Sequence, residues 1–106
     1  MCGYPTIDLA LAEWAEMNSF HWYSEYQDTE VRSLVLNPQS KSPVQIAVDV
    51  PKSGHTVIHV WQVPGGLSRL ARTVKLPTLV TNISDALDRA LETANEWLAE
   101  VERTGR

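Results

Sequence analysis

The sequence holds one cysteine, one phenylalanine and five glycines, with fewer basic than acidic side chains. A single cysteine closes no internal disulfide, so stability has to come from packing, and the chain suits a reducing compartment. Cys2 reads as a free thiol on a frayed N-terminus. No apolar run approaches the ~18 residues of a membrane span. The first twenty residues lack a basic start and carry Asp8, Glu13 and Glu16 where a signal peptide would be apolar. The expectation is a soluble, cytoplasmic protein with no membrane partner.

Positive charge is scarce: nine Lys and Arg stand against thirteen Asp and Glu, for a net charge of -4. Nucleic-acid binding rests on phosphate neutralisation by clustered basic groups. Only Arg69, Arg72 and Lys75 cluster here, which argues against a nucleic-acid partner.

Catalytic signatures are missing too. There is no Gly-x-Ser-x-Gly elbow. Pro64-Gly65-Gly66-Leu67-Ser68-Arg69 has the glycines of a phosphate loop but not the Lys-Ser/Thr that follows them, and reads as a turn. His55 and His59 share a strand face four residues apart, so their Cα atoms are about 13 Å apart, too far to hold one ion. His21 has no cysteine or carboxylate at ligand spacing. Neither a metal nor another cofactor is expected. The carboxylates of the first helix lie on its solvent side, and Asp49 reads as a surface acid. Glu92, Glu96 and Glu100 repeat at i,i+4, a solvated row that would also suit a basic partner.

What remains is a pattern of one folded domain. The 106 residues are 43% hydrophobic, enough for one core, and residues 1–106 read as a single α+β unit with 1–5 and 104–106 frayed. A helix is expected from Ile7 to Ser24, capped by Thr6, with Ile7, Ala10, Leu11, Trp14, Met17 and His21 on one face. After a turn at Gln27–Thr29, Glu30–Leu36 reads as a strand, and Asn37–Pro43 as a loop. Val44–Val50 alternates cleanly, with Val44, Ile46, Val48 and Val50 to one side. Pro51-Lys52-Ser53-Gly54 reads as a hairpin link, and His55–Val63 as the returning strand, apolar on both faces. Arg72–Leu76 is a weaker strand, and Pro77 marks an edge or a kink. The last helix, Ile83–Arg103, carries the stripe Ile83, Leu87, Ala90, Leu91, Ala94, Leu98 and Val101.

Hairpin-length links make the strands antiparallel. The expected fold is an α+β two-layer sandwich: a meander of three or four strands flanked by N- and C-terminal helices, both on one face of the sheet. This order is similar, in architecture alone, to groups of small bacterial binding proteins such as toxin-neutralising immunity proteins and secretion chaperones. The likeness brings no motif, so it assigns no residue a role.

Two helices leave the second sheet face bare, and Val57, His59 and Trp61 fall on it. These three are the candidate interface. Four tryptophans in so short a chain add a second candidate group, His21, Trp22, Tyr23 and Tyr26, which cannot all point inward and would line a pocket or meet a partner. The leading expectation is a non-enzymatic protein–protein interaction module that forms a homodimer through the bare face. The alternative is a small-molecule binder or minor enzyme with a pocket between the first helix and the sheet, lined by His21, Trp22, Tyr26 and His59.

Overall fold

A computed structural model describes residues 4–26, 29–36, 43–62 and 72–104. The proposed turn at Gln27–Asp28, the Asn37–Ser42 part of the loop, the Pro64–Arg69 segment and Cys2 lie outside the described residues.

The elements run α1 (Asp8–Asn18), β1 (Tyr23–Tyr26), β2 (Thr29–Leu36), β3 (Val44–Val48), β4 (His55–Gln62), β5 (Arg72–Leu79) and α2 (Ile83–Thr104). The strands form one antiparallel sheet in the order β1-β2-β3-β4-β5. Both helices pack on the same side of it, as the α+β sandwich expectation requires. Leu34, Leu36, Val44, Ile46, Val48, Ile58 and Val60 of the strands share one buried cluster with Ile7, Leu11 and Trp14 beside α1 and with Ile83, Leu87, Ala90 and Ala94 of α2. Burying a Val, Leu or Ile side chain contributes about 1.5–3 kcal/mol relative to leaving it exposed, so this single layer is the main source of stability.

The meander has five strands because α1 is shorter than its apolar spacing suggests. Ser19 adopts a left-handed conformation (φ 60°) and ends the helix at Asn18. The Phe20 N–H donates to the Ala15 carbonyl at 2.8 Å and the Ser19 N–H to the Glu16 carbonyl at 3.3 Å. These are the paired bonds of a Schellman stop, and the ring of Phe20 closes it against Trp14, with centroids 5.6 Å apart. Released from the helix, Tyr23–Tyr26 pairs with β2 through a bulge between Tyr23 and Glu25. Met17, expected inside, is 85% exposed. It lies roughly 100° round the helix from the Leu11–Trp14–Asn18 line.

Three further details differ from the sequence reading. Thr6 is not the residue directly before α1; it belongs to a 3-10 turn over Tyr4–Thr6, and Ile7 precedes the helix without a side-chain cap bond. Tyr4, expected in a frayed end, is buried, and its hydroxyl donates to the Val48 carbonyl at 2.8 Å. The β2–β3 pairing stops at Ser33 and Ala47, so Val48 extends past its neighbour and its carbonyl needs that donor. Val50 lies beyond the end of β3 and is exposed.

The β3–β4 link is a two-residue turn. Lys52 and His55 exchange backbone hydrogen bonds of 2.8 and 3.0 Å, and Ser53 (φ 52°) and Gly54 (φ 78°) both take positive φ. Two positive φ values make it the I′ hairpin turn, whose twist matches the flanking strands. Pro51 therefore lies before the turn rather than within it. The Gly54 carbonyl accepts a bond of 2.9 Å from the Val80 N–H, which ties the approach to α2 to this hairpin. Pro77 sits inside β5 opposite Val57, on an edge strand, where a missing N–H is tolerated.

Ser53 is the one non-glycine residue in this turn. Replacing it with Asn, which tolerates the left-handed region, is expected to raise stability by about 0.5 kcal/mol. Val there, with its branched Cβ, is expected to lower stability by about 1–2 kcal/mol. Urea unfolding midpoints measure both; a Ser53→Val variant as stable as wild type would contradict the turn.

Candidate functional site

The strand registers define the face that the helices leave bare. One cross-strand row runs Tyr23, Ser33, Ala47, His59, Lys75, and the next runs Val35, Gln45, Trp61, Thr73. On the other side of the His59 row, Val57 stands beside Pro77, and the Asp49 N–H bonds to the Val57 carbonyl at 3.0 Å, so Asp49, Val57 and Pro77 form a third row. His55 and Leu79 form a fourth. Trp61 is 38% exposed and Tyr23 59%, with Val35 and Leu79 also open to solvent. The candidate interface of Val57, His59 and Trp61 is thus one continuous line along β4, and Tyr23 joins the same face from β1.

The face is mixed, with Ser33, Gln45, Asp49, His55, His59, Thr73 and Lys75 among Val35, Ala47, Val57, Trp61, Pro77 and Leu79. His59 Nε2 meets Asp49 Oδ2 at 2.9 Å, a link between adjacent strands. The Asp49 backbone carbonyl accepts from Thr56 Oγ1 at 2.7 Å, so that end of β3 is held from both sides of the strand. A depression of about 570 Å3 lies at the hairpin end of the sheet, walled by Asp49, Val57 and Pro77 and, from the other parity, by Tyr4, Thr56 and Thr78. An imidazole with a carboxylate is half of an acid–base machine, which also needs a nucleophile within hydrogen-bond reach. Ser33 shares the His59 row but stands two strands away, roughly 10 Å at the usual strand spacing.

The second candidate group separates. Trp22 turns inward: its indole N–H donates to the Leu11 carbonyl at 2.9 Å and its ring lies 6.0 Å from that of Trp14. His21 and Tyr23 turn outward and meet edge to face at 6.0 Å. The side chain of Tyr26 lies outside the described residues. A small cavity of about 250 Å3 does lie between α1 and the start of the sheet, lined by Asp8, Leu11, Ala12, Trp22, Ser24 and Arg32. His59 is not near it. It stands on the opposite face of the sheet, because its register alternates with the buried Ile58 and Val60.

The ion pair on this cavity was not foreseen in the sequence. Arg32 Nε and Nη2 donate to the two carboxylate oxygens of Asp8 at 2.8 and 3.0 Å, and the guanidinium lies 4.3 Å over the ring of Tyr4. Nη1 donates to the Val31 carbonyl at 2.8 Å. The Arg32 side chain is 11% exposed and that of Asp8 43%. Nothing in the spacing of Asp8 and Arg32 signals the pair, since it is long-range. Trp14 makes a similar long-range tie, donating its indole N–H to Asp88 of α2 at 2.9 Å.

Among the described residues no three His, Cys, Asp or Glu side chains gather as a metal site, and no helix is long and apolar enough to cross a membrane. Of the basic cluster, Arg69 and the side chain of Arg72 lie outside the described residues, and Lys75 is exposed on the bare face. Glu92 and Glu96 lie on the exposed side of α2. No family model, curated protein or solved structure matches this chain.

The Arg32–Asp8 pair gives a measurable expectation. Asp8→Asn takes the Asp8 carboxylate away from a nearly buried guanidinium. The cost should be about 1–3 kcal/mol, between that of an exposed pair and the ~3–5 kcal/mol of a fully buried one. Adding Arg32→Met to Asp8→Asn should recover at least half of the loss. Denaturant unfolding measures both; a neutral Asp8→Asn would mean that the pair adds nothing.

Proposed function

We propose that this chain is a non-enzymatic protein–protein interaction module that pairs with a second copy of itself through the bare sheet face. The observation that carries this reading is the position of Val35, Val57, Trp61, Pro77 and Leu79 on a face that neither helix covers. From strand spacing and rise, the face measures roughly 20 Å by 25 Å, about 500 Å2 in plan, which suits an interface at the small end of the specific range. Trp61, in the row at the end of β4 away from the hairpin, is the largest exposed side chain on the face, and tryptophan is the residue type most enriched among interface hot spots. Its charges favour a like partner. The whole chain carries -4, but among the described residues this face offers one acid, Asp49, and one base, Lys75. Two copies therefore meet there without net repulsion.

The alternative, a small molecule held between α1 and the sheet, has less support. The cavity there is about 250 Å3, below the ~300–1,000 Å3 of ligand pockets, and its charged groups, Asp8 and Arg32, already satisfy one another.

Trp61→Glu is the test. Trp61 is partly exposed in the single chain, so the variant should keep its circular dichroism and unfolding midpoint. Its sedimentation coefficient should fall to that of a monomer, with at least a tenfold rise in dissociation constant. A folded variant that sediments like wild type would overturn the reading.

A further inference from the structure

The chain has three histidines, and all three stand on or against the bare face. His59 lies on β4 in the row that runs from Tyr23 to Lys75. His55 pairs with Leu79 at the hairpin end. His21 meets the ring of Tyr23, with Trp22 turned inward between the two. The buried cluster holds none of them. Histidine is the side chain whose ordinary titration falls between pH 5 and 8. The side-chain charge gained over that interval therefore collects on one side of the sheet.

The neighbours of each imidazole decide what that charge does. His59 Nε2 meets Asp49 Oδ2 at 2.9 Å, and Lys75 of β5 stands beside it on the next strand. His55 faces Lys52 across the turn and Leu79 of β5. His21 faces Tyr23 of β1. Among the described residues neither His55 nor His21 has an acid partner, and Asp49 is the one carboxylate of the face. With the imidazoles neutral, Asp49 and Lys75 balance. With the imidazoles protonated, Asp49 offsets one of them, and the other two add to Lys75.

We propose that the bare face carries a pH-sensitive switch: protonation of His21, His55 and His59 charges two facing copies alike and separates them. This inference rests on the self-association proposed above and adds its regulation. Like charges brought together on surfaces withdrawn from water repel more strongly, and are screened less, than the same charges in solvent. A free copy, with its imidazoles hydrated, therefore takes up protons more readily than a paired one. The species that binds more protons gains as pH falls, so acid favours the monomer. His59 alone would act weakly, because its proton completes a charge pair with Asp49. His55 beside Lys52, and His21 beside the ring of Tyr23, set the direction.

Sedimentation equilibrium of the full chain at about pH 7.5 and about pH 5.5 tests the switch. Both values lie above the range in which carboxylates ordinarily take up protons. The dissociation constant should be at least tenfold higher at the lower pH, with circular dichroism unchanged. Combining His21→Gln, His55→Gln and His59→Gln should bring the two dissociation constants within about twofold of each other. His55→Gln alone, at an exposed position next to the turn, should reduce the ratio at least twofold, and it replaces the triple variant if that one is unfolded. A wild type that dimerises equally or more tightly at the lower pH overturns the switch but not the use of the face, and so does a histidine-free variant that keeps the full dependence. A wild type that is monomeric at both pH values overturns the switch and the self-association together.

Discussion

A five-stranded antiparallel sheet has two faces, and the described chain supplies two helices to cover them. Both are committed to the same side. The Trp14–Asp88 hydrogen bond ties α1 to α2, the Arg32–Asp8 pair ties the start of α1 to β2, and the shared cluster of Ile, Leu, Val and Ala side chains fills the space beneath. Neither helix can cross to the other face without exposing that cluster, at about 1.5–3 kcal/mol for each large side chain uncovered. The reverse face therefore stays bare while still carrying Val35, Val57, Trp61 and Leu79.

The bare face is fixed in shape by the sheet that carries it. Strand registers fix which side chains share a row, and backbone pairing on both sides of β4 holds Val57, His59 and Trp61 in line. The I′ turn at Ser53-Gly54 sets the β3–β4 register, and with it the approach of Asp49 to His59. An interface built on central strands is pre-organised, so little is lost in ordering it when a partner arrives. The hydrogen bonds around Asp49 hold that end of β3 in shape.

The sequence revealed most of this where one periodicity dominated. Val44–Val48 alternates strictly and α2 repeats its apolar residues every three or four positions, so both appeared where expected, and Val57 and Trp61 could be placed opposite the helices by parity alone. It failed where two patterns were compatible. Phe20 to Tyr26 is aromatic enough for either a helix flank or a strand, and the signal that separates them is the left-handed backbone at Ser19, a position that glycine would have announced and serine does not. The aromatic group accordingly divides: Trp22 is tied into the core, while Tyr23 joins the bare face. Tyr4 and the Arg32–Asp8 pair escaped for another reason. Their partners lie 44 and 24 residues away, and long-range contacts of single polar groups leave no local trace.

The central claim is that the uncovered face exists to meet its own copy, and the mass of the unaltered protein in solution addresses it most directly. Sedimentation equilibrium over a hundredfold range of concentration should fit a monomer–dimer equilibrium that approaches twice the 11.9 kDa chain mass at the upper end. A mass that stays at one chain throughout that range would contradict the account.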